Sequence, residues 1–181
     1  MRNSVAEAVG LMVEAYEQGG KVLTCGNGGS SADSAHIVGE LVKGFMKKRP
    51  LPKELDIGMP LQMGLPAIDL TAQSALISAV ANDLGGEYVY AQQVICYAGE
   101  NDVLIGISTS GNALNVYNAA LAAKAKGAKV IAMTGKGGGR LADVADVLLD
   151  ADEKETHRVQ EEHIKIYHRF CAEVEAHFFD E

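Results

Sequence analysis

Three cysteines, four prolines and a shortage of positive charge exclude several roles for this 181-residue chain. Cys25, Cys96 and Cys171 are odd in number and form no CxxC pair, so a reduced, cytoplasmic protein is a simpler reading than a disulfide framework. Sixteen Lys and Arg stand against 24 Asp and Glu, a formal net charge of −8. That balance argues against general affinity for nucleic acid or anionic membrane. No apolar run is long enough to span a bilayer. The N-terminus is amphipathic and carries Glu7 and Glu14, so it does not read as a signal peptide. Neither GxGxxG nor GxxxxGK[ST] is complete anywhere, which leaves dinucleotide and P-loop readings without support. The four prolines, Pro50, Pro52, Pro60 and Pro66, all fall in one irregular stretch, 47–66. Such a stretch is long for a structureless connection in a compact domain and is expected to be functional or lid-like.

Apolar side chains make up 48% of the chain, enough to core a single domain over 1–181. Val5, Ala8, Val9, Leu11, Met12 and Ala15 mark one stripe of an N-terminal helix over 2–18, stopped by Gly19 and Gly20. Short apolar strands are expected at 21–25, 67–70, 103–107, 129–133 and 147–149. Between them helices are expected at 31–45, 74–82, 88–98, 114–126 and 141–144, with a long C-terminal helix over 157–179. This alternation predicts a three-layer, doubly wound, flavodoxin-like α/β/α fold on a five-stranded parallel sheet.

Ligands of such folds sit beyond the carboxyl ends of the strands. Three loops there are rich in glycine or hydroxyl groups. Gly26-Asn27-Gly28-Gly29-Ser30-Ser31 lets the backbone turn its N–H groups toward a phosphate at a helix N-terminus. Ser108-Thr109-Ser110-Gly111-Asn112 offers three hydroxyls and the positive end of the next helix, although a hydroxyl-rich N-cap has the same pattern. The glycine run 135–139 is as well explained as a plain connection.

His36 and Glu40 lie four apart and share a helix face, an arrangement that suits metal binding or proton exchange. The other four histidines all fall near the C-terminus. Gln160 and His168 are about 80° apart in angle and roughly 12 Å apart along an axis, so they meet one ion only if both side chains lean inward. His163 lies about 140° from His168 and is expected at the surface or an interface, with His157 and His177 at solvated ends. Two imidazoles, a carboxylate and an amide oxygen suit zinc or a similar divalent ion. The same groups fit a carbonyl shift between C1 and C2 of a sugar, in which a base takes a proton and an acid returns it.

The blocks CGNGGSSADSAH–x3–EL, ANDLGG, NDVLIGISTSGN and RVQEEHIKIYH, in this order between Lys21 and Val174, closely resemble phosphoheptose isomerases of the SIS (sugar isomerase) domain superfamily. The resemblance implies a cytoplasmic homotetramer, with active sites between subunits, converting sedoheptulose 7-phosphate to D-glycero-D-manno-heptose 7-phosphate. It implies Glu40 and His168 as the acid–base pair, and His36, Glu40, Gln160 and His168 as ligands of a divalent metal, zinc first. Substrate contacts then fall on Asn27, Gly28, Ser30, Asp83, Ser108, Thr109, Ser110 and Gln160. Asp83 has no such signal of its own, since a helix-end Asp is usually a cap.

Departures from the family pattern bear on which sugar is used. STSGNS reads STSGNA, so Ala113 removes one hydroxyl. Gly-Arg after the acidic helix is replaced by Lys43-Gly44, a point charge in place of a planar fork. The 47–66 loop is longer, and the N-terminal helix shorter, than the pattern. The competing readings are a non-catalytic SIS module that binds sugar phosphates or a replication initiator, and an isomerase acting on another sugar phosphate.

Overall fold

The computed structural model describes residues 2–179. Five parallel strands form one sheet in the order β2-β1-β3-β4-β5: β1 (Val22–Gly26), β2 (Ala67–Asp69), β3 (Val103–Ser108), β4 (Lys129–Thr134) and β5 (Val147–Asp150). Chain order reverses between β1 and β3, which pair in register from Val22 with Val103 to Gly26 with Ile107. The doubly wound, flavodoxin-like expectation is met, and the switch point opens where both glycine- and hydroxyl-rich loops begin.

The strands are apolar on both faces, so alternate side chains enter two cores. Val22, Val103, Ile105, Ile107, Ile131, Met133 and Leu149 pack under α1 (Arg2–Glu17), α2 (Gly29–Val42) and α6 (Thr156–Phe179). Leu23, Cys25, Leu104, Val130 and Ala132 pack under α3 (Ser74–Asp83), α4 (Ala91–Tyr97) and α5 (Leu114–Ala125). The helix expected near 88–98 divides into a 3-10 turn, Gly86–Tyr88, followed by α4, and the one expected at 141–144 is a 3-10 turn over Gly139–Asp143. No helix among the described residues is long and apolar enough to cross a membrane.

Helix α2 stops at Val42, three residues earlier than the sequence pattern predicts, because Lys43 turns extended at φ −133°. The following chain is tied back onto α6. Arg49 and Glu175 are both fully buried and pair at 2.8 Å from Nε to Oε1. Removing one partner would strand a buried charge at a cost of about 3–5 kcal/mol. The 47–66 stretch is therefore anchored at its start. Its ends also meet, Met63 N donating to Arg49 O, while Leu55, Ile57, Met59 and Leu61 stand exposed in its middle.

Candidate active site

The first element of the site is the turn between β1 and α2. Gly28 has φ +57°, a backbone conformation that side chains rarely adopt, and from it Ser30 N and Ser31 N close hydrogen bonds to Asn27 O and Gly28 O. Asn27 is fixed by a reciprocal amide pair with Asn115 on α5, each Nδ2 donating to the other's Oδ1 at 2.9 Å. The Tyr90 hydroxyl braces the same turn, donating to Gly26 O at 2.6 Å, and burial pushes its pKa up to about 12. Asn115 and Tyr90 carry no sequence signal of their own. Only the packing of α5 and of the chain before α4 against this turn reveals them.

The second element is the turn after β3. Ser108 Oγ accepts from Ala113 N at 3.4 Å, and Ser110 Oγ accepts from Asn112 N at 3.1 Å. These bonds lie within the turn and do not cap α5, which begins after Ala113 without a side-chain cap, and Ser108 stands at one wall of a cleft. Gly111 has φ +67°, and a Cβ there would meet Gly138 O at 2.0 Å. The glycine run 135–139 thus backs the hydroxyl loop, a structural part that its sequence left open. Asn27, Ser30, Ile107, Ser108, Thr109, Ser110 and Ala113 line a cleft of about 150 Å³ at the switch point. The start of α5 and the first turn of α2 both give this cleft positive dipole ends, the setting in which an anion is held without a cationic side chain.

The third element lies further along α2, where His36 and Glu40 meet His168 of α6. His36 Nε2 is 2.9 Å from Glu40 Oε1, and His168 Nε2 is 3.2 Å from the same oxygen. Ligand atoms of all three residues fall within 4.8 Å of one another. Glu40 is buried, while both imidazoles are partly open to solvent. Its second oxygen, Oε2, is also buried, and the Cys171 thiol hydrogen-bonds to the carboxylate. Burial, then the neighbouring Glu40 carboxylate, raises the Cys171 thiol well above its ordinary pKa, so a neutral thiol stands beside that carboxylate.

His36 is also held from behind. The hydroxyl of buried Tyr167 lies 2.8 Å from His36 Nδ1. Burial first, then the nearby carboxylates of Asp33 and Glu40, raise the Tyr167 pKa far above normal, keeping it a hydroxyl. With its proton on Nε2, His36 donates to Glu40. With its proton on Nδ1, it donates to Tyr167 and turns the Nε2 lone pair to the centre, the form that binds a metal. Two imidazoles and a carboxylate converging on one point match the three-ligand donor set of a catalytic zinc site.

Two of the residues implied by resemblance stand apart from this cluster in the folded chain. Gln160 lays its amide over Gly29, where a Cβ would come within 2.3 Å of Nε2; Gly29 precedes His36 by two helical turns. Asp83 is exposed at the end of α3, its carboxylate accepting from Asn82 Nδ2 at 2.8 Å. Lys43 is also exposed, and its Nζ donates to Gly44 O.

The surface expectation for His163 is overturned. The residue is fully buried, its Nε2 lies 3.1 Å from Thr134 O at the end of β4, and burial lowers its pKa. Its angle from His168 is the one the helix period predicts. What the angle could not show is that α6 packs on its 159/163/166/167/170 side, leaving His168 at the rim. His157 and His177 are exposed, as expected.

The family model described as SIS domain matches residues 1–135. A phosphoheptose isomerase of Rhodospirillum rubrum is 38% identical over 172 residues, covering 95% of this chain and 85% of the relative. Among solved structures, a phosphoheptose isomerase from Neisseria gonorrhoeae superposes with a TM-score of 0.83 at 36% identity, over 96% of this chain and 86% of that one. A phosphoheptose isomerase from Francisella tularensis gives 0.84 at 35% identity, over 95% and 85%.

Proposed function

The chain belongs to the phosphoheptose isomerase family of SIS-domain proteins and is a sugar-phosphate isomerase, and from that premise we propose that it converts sedoheptulose 7-phosphate to D-glycero-D-manno-heptose 7-phosphate. The observation that carries this reading is the convergence of Glu40 and His168 on one point, on the helix whose first turn lines the hydroxyl cleft.

In the proposed reaction the cleft takes the phosphate through Ser108, Thr109 and Ser110, with Asn27 and Ser30 toward the sugar. The Glu40 carboxylate removes a proton from C1 of the ketose while His168 Nε2–H protonates the C2 carbonyl oxygen, giving a 1,2-enediol. Glu40 returns its proton to C2, and the O1 hydroxyl proton passes back to His168 as the aldehyde forms. Atoms and charge balance, and both groups end as they began. His36 and Glu40 would hold a divalent metal, zinc first; His168 would join them only with its proton on Nδ1, in which form the ion, and not Nε2–H, would act on the C2 carbonyl oxygen. Such an ion polarises a carbonyl and stabilises enediolate charge.

A homotetramer with sites shared between subunits belongs to the same proposal. Ser30 and Glu40 are about 15 Å apart along α2, leaving room for a neighbouring chain to complete the site. Leu84, Tyr88 and Ile95 are exposed around a 340 Å³ surface hollow, an apolar face of the kind subunits cover.

The test is the purified protein against a panel of ketose phosphates, with products identified by NMR. Conversion of sedoheptulose 7-phosphate is expected. Preference for another ketose phosphate would replace the substrate, and no product from any would favour the binding module. Chelation is expected to lower the rate, and an unchanged rate with no ion found by metal analysis would remove the metal.

A further inference from the structure

Residues 43–49 run from the end of α2 across α6; Gly44 N donates to Gln62 Oε1 at 2.7 Å, and a buried node holds the chain from Phe45 to Arg49. Glu175 Oε1 accepts from Phe45 N and Arg49 Nε, both at 2.8 Å. Its Oε2 accepts from Met46 N at 2.7 Å and Lys47 N at 3.1 Å. Burial works to raise the Glu175 pKa, but the amides and the guanidinium outweigh it and hold the carboxyl below its ordinary value. Arg49 spends its other nitrogens on the last turn of α2. Nη1 donates to Leu41 O at 2.6 Å and Nη2 to Glu40 O at 3.0 Å, carbonyls that the helix itself leaves without partners.

Both halves of the acid–base pair depend on this node. Glu40 is tied through its own carbonyl. His168 is seven residues before Glu175, so the two lie on one face of α6 two turns apart. The node also places Phe45, whose ring packs on the His168 imidazole at 5.6 Å between centroids, inclined by 36°. We propose that the buried Arg49–Glu175 pair is the positioning device of the active site, fixing the Glu40 main chain and seating Phe45 against His168. Neither residue reaches the reacting atoms; each acts through Glu40 or Phe45. The planar fork of arginine is needed because three acceptors in different directions must be met at once, which a lysine ammonium on a flexible stem does poorly.

The inference rests on the isomerase reading for its kinetic arm and stands without it for its spectroscopic arm. The variants are Arg49→Lys, Glu175→Gln and Phe45→Leu, the last leaving the ion pair whole. For folded variants, checked by near-UV circular dichroism, kcat on sedoheptulose 7-phosphate is expected to fall at least tenfold for the first two and several-fold for Phe45→Leu. KM is expected to stay within twofold of wild type. In 1H–13C spectra of the substrate-free protein the His168 ring signal should move in all three variants, while that of exposed His177 stays in place. A folded variant whose His168 signal and kcat both match wild type would overturn the proposal, as would a rise in KM at constant kcat. If the two charge variants do not fold, Phe45→Leu decides alone by the same readouts. A wild-type protein without turnover would count against the isomerase reading, whereas the His168 signal judges the positioning claim in either event.

Discussion

At its first turn α2 meets a cleft walled by main chain and short hydroxyl side chains, whereas near its last turn it presents His36 and buried Glu40 to an imidazole from α6. The cleft is assembled from two turns, each shaped by local chain. Gly28 shapes the turn after β1, Gly111 with Ser108 and Ser110 the turn after β3, and the helix dipoles supply attraction without a buried charge. The acid–base end is assembled from distant chain. It needs α6 docked against α2, Tyr167 behind His36, and the Arg49–Glu175 pair beneath both. In the proposed reaction, anion holding is thus a property of loops, and proton transfer a property of helix packing. Substitutions at the two ends should fail in different ways.

The largest effect is expected at the helical end. His168→Ala should lower kcat by about 10²- to 10⁴-fold, the usual worth of a positioned acid or base, with KM little changed. Steady-state kinetics checks this, and a change confined to KM would place His168 in binding. At the loop end the sign of the split reverses. Ser108→Ala should raise KM by roughly tenfold, since one hydrogen bond to a charged group is worth about 1.5–3 kcal/mol, with kcat within a few-fold of wild type. Ala113→Ser, which adds a hydroxyl to the same wall, should lower KM by a few-fold or less. Equal losses of kcat at both ends would erase the distinction.

A smaller, pH-dependent effect concerns folding. Buried His163 has a pKa lowered from 6.5, so the unfolded chain binds its proton more readily than the folded one. Its contribution is fully present above about pH 6.5 and is lost as pH falls from there toward its folded value. Glu175, lowered from 4.5, acts further down: its contribution is present above about pH 4.5 and is lost as pH falls through its folded pKa. Thermal unfolding followed from pH 8 down to about pH 2.5 should show stability declining in that order. In His163→Gln the decline below pH 6.5 should flatten.

The same division explains what was legible in the sequence. Strand positions followed from short apolar runs, and the switch-point loops from glycine and hydroxyl clusters, because both signals are local. The His36–Glu40 pair was readable from its i, i+4 spacing. His163 was misplaced because helical angle gives a direction without saying which side of α6 meets the sheet. Arg49 and Glu175 give no sequence signal for a related reason. A charged residue reads as solvated until a partner far along the chain buries it, and here that partner is brought by the docking of α6. Asn115 and Tyr90, which brace Asn27, were hidden in the same way.

Glu40→Gln tests the central claim most directly, because it keeps the side chain's shape and removes its basicity. Turnover of sedoheptulose 7-phosphate and its binding by calorimetry should be measured on the same preparation. We predict a kcat lower by at least 10³-fold with a dissociation constant within about threefold of the wild-type value. Turnover within tenfold of wild type would contradict the assignment of Glu40 as the proton-transferring group.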